Sequence, residues 1–237
     1  MEEKMNSLKR TARLAGLLWL LSVVPTGFSL MYVRPKLIVF GDAAATANNI
    51  LANESLFRMA IASNLFSAII LLFFGLTVFR LFKGVNKTLA TVLLTSILVT
   101  VAVGVVNSLN NFGALVVLSN ADYLKAFQPE QLNALMMIFL RLNNFGIGII
   151  ELFSALYLFT FGLLIIKSRY IPRILGVLLI IGSYAFPINT FTKILIPQFY
   201  PAIITQLTML FNSLGAPLTI LWLLIKGVKE QQQMSDI

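Results

Sequence analysis

"PEQLNALMMIFLRLNNFGIGIIELFSALYLFTFGLLII" occupies residues 129–166, and its only charged side chains are Glu130, Arg141 and Glu151. A run this long, this apolar and without alternation reads as a membrane-spanning helix. Outer-membrane barrel strands are excluded, because they are short and alternate in polarity. At about 1.5 Å per residue, its roughly 38 residues reach about 57 Å, against a hydrocarbon core ~30 Å thick. The helix must therefore tilt, bend near Gly146 or Gly148, or project outward. Its middle raises a second question. "RLNNFGIGIIELF", residues 141–153, sets Arg141, Asn143, Asn144 and Glu151 where lipid is expected.

The rest of the chain repeats this character. It has 237 residues, 58% of them hydrophobic and 11% charged, with a mean hydropathy of +0.89. A soluble domain carries about 25% charged residues and cannot bury this much apolar surface. Six spans are read, at about Ala12–Val33, Ser55–Phe82, Thr88–Leu118, Pro129–Ile166, Pro172–Thr192 and Ala202–Ile225. The expected fold is an all-α, polytopic membrane helix bundle of six transmembrane helices. Residues 12–226 form one transmembrane domain between a cytoplasmic flank, 1–11, and a cytoplasmic polar tail, 227–237. Gly27-Phe28-Ser29 resembles a small-x-small cleavage site. Apolar character continues through Val33, which favours an uncleaved anchor.

Basic residues set the orientation. Lys4, Lys9, Arg10 and Arg13, the Arg80/Lys83/Lys87 turn, the Lys167/Arg169/Arg173 turn, and Lys226/Lys229 hold twelve of the eighteen cations. All four regions fall on one side of a six-span path, so both termini are expected in the cytoplasm. The net charge of +9 therefore marks cytoplasmic loops and membrane lipid as partner, with no nucleic acid. Outside, Asp42 can cap a short helix with Thr46, Asn49 and Asn53 on its polar face and Ala43, Ala47 and Ile50 opposite. Short outer-surface helices are expected in the first and third loops, the third preceding a helix start at Pro129-Glu130-Gln131.

Three segments carry a family resemblance: "GDAAATANNILANESLFRMAIAS", "ADYLKAFQPEQL" and "SRYIPRILGVLL". In this order they resemble segments of the bacterial domain-of-unknown-function 4386 family, and the resemblance extends over roughly residues 10–229. It implies a multi-pass protein of the bacterial cytoplasmic (inner) membrane, and no activity. Many members carry an acidic residue where Asn64 stands here, and histidines where this chain has Asn143 and Tyr157. Any proton or metal chemistry resting on those groups is not expected of this chain.

Heights along the helices organise the polar residues. Counted from the basic anchor of its own span, Glu151 lies about 24 Å up, as do Asn64 and Asn189. Asn212 comes at about 21 Å, Thr26 at about 20 Å and Asn107 at about 30 Å. Arg58 and Arg141 reach about 33 and 39 Å, at or above the outer edge of the hydrocarbon. The asparagines and Glu151, the only acid at hydrocarbon depth within the spans, thus lie in the outward half. Three stripes share helix faces: Arg141, Asn144, Gly148, Glu151 and Ala155; Thr100, Gly104, Asn107 and Asn111; and Thr205, Thr208, Asn212, Gly215 and Thr219.

The candidate ligand-binding set is Glu151, Asn64, Asn107, Asn144, Asn189, Asn212, Arg58 and Arg141, lining an outward-facing crevice. Arg58 or Arg141 is the cation expected nearest Glu151. The competing reading makes the asparagine and threonine stripes interhelical glue, Glu151 a structural contact, and the two arginines headgroup anchors. Three function classes follow: binding or carrying a small molecule or lipid, an accessory interaction role, or a membrane-embedded enzyme. The enzyme ranks last, because the chain has no His and no Cys and a single intramembrane acid to activate a nucleophile. No cofactor and no metal site are expected.

Overall fold

A computed structural model describes the backbone of residues 2–196 and 202–228, with side chains for 5–196 and 214–228. Its described residues form helices and turns, without strands. Helix α1 (Glu2–Gly27) runs into a π-helical segment, Phe28–Val33, and then α2 (Arg34–Leu37). They are followed by α3 (Ala43–Ala52), α4 (Glu54–Phe82), α5 (Lys87–Val117), a 3-10 turn (Asp122–Leu124), α6 (Pro129–Ser168), α7 (Arg173–Leu195) and α8 (Ala202–Ile225).

Among the described residues, five stretches are long and apolar enough to cross a membrane: Met5–Leu37, Glu54–Phe82, Lys87–Val117, Pro129–Ser168 and Arg173–Leu195. Each leaves large apolar side chains in the open, among them Met31, Leu109 and Leu195. Such faces are stable against lipid and costly against water. The chain is a multi-pass membrane protein. Helix α8 has 24 residues, of which Leu214–Ile225 is described as a shorter apolar helix.

The helix starts follow from local chemistry. Asp42 caps α3 by accepting from the Ala45 N–H at 2.8 Å, and Asn86 accepts from the Leu89 N–H at 2.9 Å to open α5. At α6 the Gln131 side chain reaches back to the Gln128 N–H, as in a capping box. Reversals use left-handed residues: Gly41 (φ 102), Asn120 (φ 54) and Arg169 (φ 57).

Two features depart from the sequence reading. The first span does not stop at Val33, because the helix continues through Leu37 and brings Arg34 inside it. Pro35 explains the form of that continuation. A proline lacks an N–H and crowds the carbonyl four residues back; here the preceding turn widens, and the Arg34 N–H bonds to the Ser29 carbonyl, five residues back. The second departure is the face of α3. Thr46 is buried beside Ala47 and Ile50, and does not lie on a water-facing side. Its hydroxyl donates to the carbonyls of Val39 and Asp42 and accepts from the Val39 N–H, while Asn49 donates to the Leu37 carbonyl. The loop after α2 has backbone groups with no helical partner, and these two side chains satisfy them.

Packing gathers the chain into two compact units. One comprises Leu21–Ile69 and Val101–Ile149. Its core joins Val33, Leu37, Ile50, Phe57, Ile61, Leu115, Met136 and Leu140, so α3 is fastened to the ends of α4, α5 and α6. The other comprises Met1–Leu20, Ile70–Thr100 and Ile150–Ile237. In it Trp19 stacks on Phe74 at 5.1 Å and meets Phe161 at 5.5 Å, and Phe82 closes on Phe161 at 5.8 Å. Glycines let its helices approach. A Cβ on Gly162 would sit 2.5 Å from the Gly176 carbonyl oxygen, and one on Gly176 would sit 2.7 Å from that of Gly162. Helices α6 and α7 touch there backbone to backbone.

Candidate functional site

The polar residues of the spans fall into separate hydrogen-bonded sets. The first lies in the unit that contains the end of α6 and α7. The Glu151 carboxylate, half-buried, takes two bonds on one oxygen: Asn189 Nδ2 donates to Oε2 at 3.0 Å and Thr190 Oγ1 donates to it at 3.1 Å. Asn189 and Thr190 are buried. Among the described residues Oε1 has no hydrogen-bond partner. The α6–α7 hairpin sets this register. Glu151 and Asn189 centre on Tyr170, and the Gly162–Gly176 contact centres on Arg169, so one tight antiparallel pair aligns both.

The second set lies in the other unit, where α5 and α6 exchange asparagine bonds. Asn107 Nδ2 donates to the Asn143 carbonyl at 3.0 Å, and Asn143 Nδ2 donates to the Asn107 carbonyl at 3.2 Å. Asn110 Nδ2 adds a bond to Asn107 Oδ1 at 3.0 Å. A Cβ on Gly146 would overlap the Asn107 amide, so that glycine makes room for the pair. Arg34 completes the set. Its Nη1 donates to Asn143 Oδ1 at 3.0 Å and its Nη2 to Asn144 Oδ1 at 3.5 Å. Because arginine only donates, both asparagine oxygens must face it.

A third set links the first span to α4. Asn64 Nδ2 donates to Ser29 Oγ at 2.9 Å, Thr26 and Ser67 share a hydroxyl bond of 2.7 Å, and Ser67 donates to the Ser22 carbonyl. Small hydroxyl and amide contacts of this kind hold helices together inside lipid.

Seven of the eight sequence-selected residues have described side chains, and their hydrogen bonds fall as follows. Glu151 meets Asn189 directly. Asn107 and Asn144 belong to the Arg34 set, and Asn64 pairs with Ser29. Arg58 is exposed and pairs with Glu54 at 2.6 Å, one helical turn away; Arg141 is exposed. Among the described residues the hydrogen-bond partners of Glu151 are Asn189 and Thr190 on α7, and neither arginine is one of them. The side chains of Asn212, Thr205 and Thr208 lie outside the described residues. The sequence reading missed Arg34, Asn143 as its acceptor, and Thr190. Arg34 was hidden by the end of the apolar window at Val33; the signal for it is a lone arginine directly before a proline that continues a helix.

A family model described as "Domain of unknown function (DUF4386)" matches residues 14–227. The chain belongs to the DUF4386 family. The match runs from within α1 to the end of α8, and so takes in all three polar sets of this DUF4386 chain. No curated protein and no solved structure matches it.

Proposed function

We propose that this protein binds or carries a small molecule or lipid through a polar cavity open to the outer side of the membrane. One observation carries the reading. Glu151 is an acid inside a membrane-crossing helix whose Oε2 takes two donors while Oε1 has none among the described residues. A carboxylate in lipid costs several kcal/mol unless paired, hydrated or protonated. A purely structural acid would have both oxygens engaged, whereas a half-served one keeps an acceptor for water or for a donor on a ligand.

The chain has no native cysteine, so Glu151→Cys gives a clean probe of access from outside intact cells. A small, membrane-impermeant thiol reagent is expected to label it. Protection of Glu151→Cys and Asn189→Cys alike would sink the cavity. Glu151→Gln is expected to leave thermal stability nearly unchanged, since intramembrane hydrogen bonds average about 0.6 kcal/mol. A specific observation favours a second reading as an accessory protein: the reciprocal Asn107–Asn143 pair has the form of interhelical glue.

The same proposal includes six spans in the bacterial cytoplasmic membrane, with α8 as the sixth, both termini inside and α3 at the outer surface. The clustering of basic residues at the α4–α5 and α6–α7 turns supports it. Reporter fusions after Lys87 and after Arg169 are expected to read cytoplasmic, and one after Asp122 external. A reversal at any of the three positions overturns the topology.

A further inference from the structure

We propose that Arg34 and Asn144 bind an oxyanion: the phosphate of a phospholipid headgroup, or free phosphate. Arg34 lies within the membrane-crossing stretch Met5–Leu37 and is half-buried. Its side chain is held by two neutral amide oxygens, those of Asn143 and Asn144. Among the described residues no carboxylate pairs with it. Of the five N–H groups of a guanidinium, three have no acceptor among the described residues. The Asn144 oxygen is turned to Arg34, and among the described residues its amide nitrogen has no acceptor. Neutral amides orient the cation but do not cancel its charge, which leaves it a partner for an anion.

The fold rules out a loose surface arginine. Asn143 is buried and locked into the reciprocal pair with Asn107, so the acceptor for Nη1 is fixed before Arg34 arrives. The π-helical turn and Pro35 place the guanidinium against α6. A planar fork with spare parallel donors matches a phosphate or carboxylate edge. Leu142 and Phe145, which bracket the two asparagines, are 49% and 60% exposed. The site therefore abuts the lipid-facing surface, which favours the headgroup as the source. Basic pockets between membrane helices recognise phosphate headgroups in this way. The site shares no residue with the Glu151 set, so its test stands or falls separately.

The test uses the full chain, purified in detergent and stripped of lipid, in wild-type, Arg34→Gln and Asn144→Asp forms. Asn144→Asp supplies Arg34 with an internal counter-ion and so keeps the fold while repelling an anion. Native mass spectrometry compares phosphatidylglycerol with a diacylglycerol of the same chains, and a thermal-shift titration uses inorganic phosphate. The wild type is expected to retain one phosphatidylglycerol in preference to diacylglycerol, and both variants to bind it at least about tenfold more weakly. Phosphate stabilisation that both variants lose, without any lipid preference, assigns the same site to free phosphate. Wild-type behaviour of Asn144→Asp in both arms overturns the proposal, even where Arg34→Gln does not fold.

Discussion

Gly162→Leu is expected to leave little or no folded protein. A Cβ at position 162 meets the Gly176 carbonyl oxygen at 2.5 Å and Ile180 Cγ1 at 2.7 Å, and the reciprocal Cβ at 176 meets the Gly162 carbonyl oxygen at 2.7 Å. Backbone cannot rotate away as a side chain can, so α6 and α7 must separate along their length. Overpacking usually costs about 1–3 kcal/mol, which is the range expected for Gly162→Ala; leucine adds a branched side chain and should exceed ~3 kcal/mol. The hairpin also aligns Glu151 with Asn189, so external labelling at position 151 should change with it. Gly84→Ala is the control, because nothing lies within 4 Å of a Cβ there. Thermal unfolding in detergent, followed by size-exclusion profile, measures the difference. A wild-type melting temperature for Gly162→Leu would mean that the α6–α7 contact is wrong.

The same hairpin shows what could be read in advance. Helix existence was legible because apolar runs longer than a bilayer leave one backbone solution. The Glu151–Asn189 match was legible as equal height, since a short turn joins α6 to α7 and counting from either side of it gives nearly the same depth. Asn64 stands at the same estimated height and yet bonds Ser29, because height says nothing about which helices are neighbours. Arg34 was illegible for a different reason. Proline normally ends the helical reading one residue earlier, and only the π-helical turn lets this helix pass Pro35 and carry the arginine to Asn143. The inward turn of Thr46 likewise depends on the orphan backbone groups around Val39, a tertiary demand that the spacing of polar residues does not encode.

Trp19→Ala is the other substitution expected to be severe, and its size decides what the polar sets are for. Trp19 is 1% exposed and contacts Phe74 and Phe161, which also meet each other at 6.0 Å. In water such a truncation costs about 3–5 kcal/mol, part of it hydrophobic transfer. In a bilayer the separated helices remain in lipid, which is as apolar as the core, so the transfer part disappears. What is lost includes the cavity contribution and two aromatic contacts, each worth about 0.5–1.5 kcal/mol. The expected loss is about 2–4 kcal/mol, and Trp19→Phe should recover much of it. Asn107→Leu removes a buried amide from the α5–α6 pair, where hydrogen bonds average about 0.6 kcal/mol and reach about 1.7 kcal/mol. Equilibrium unfolding in bicelles should therefore rank Trp19→Ala well below Asn107→Leu in stability. That order means that aromatic and glycine packing hold the bundle, leaving the amides, Arg34 and Glu151 free to serve a ligand. The opposite order would make the asparagines the structural glue and favour the accessory role over binding.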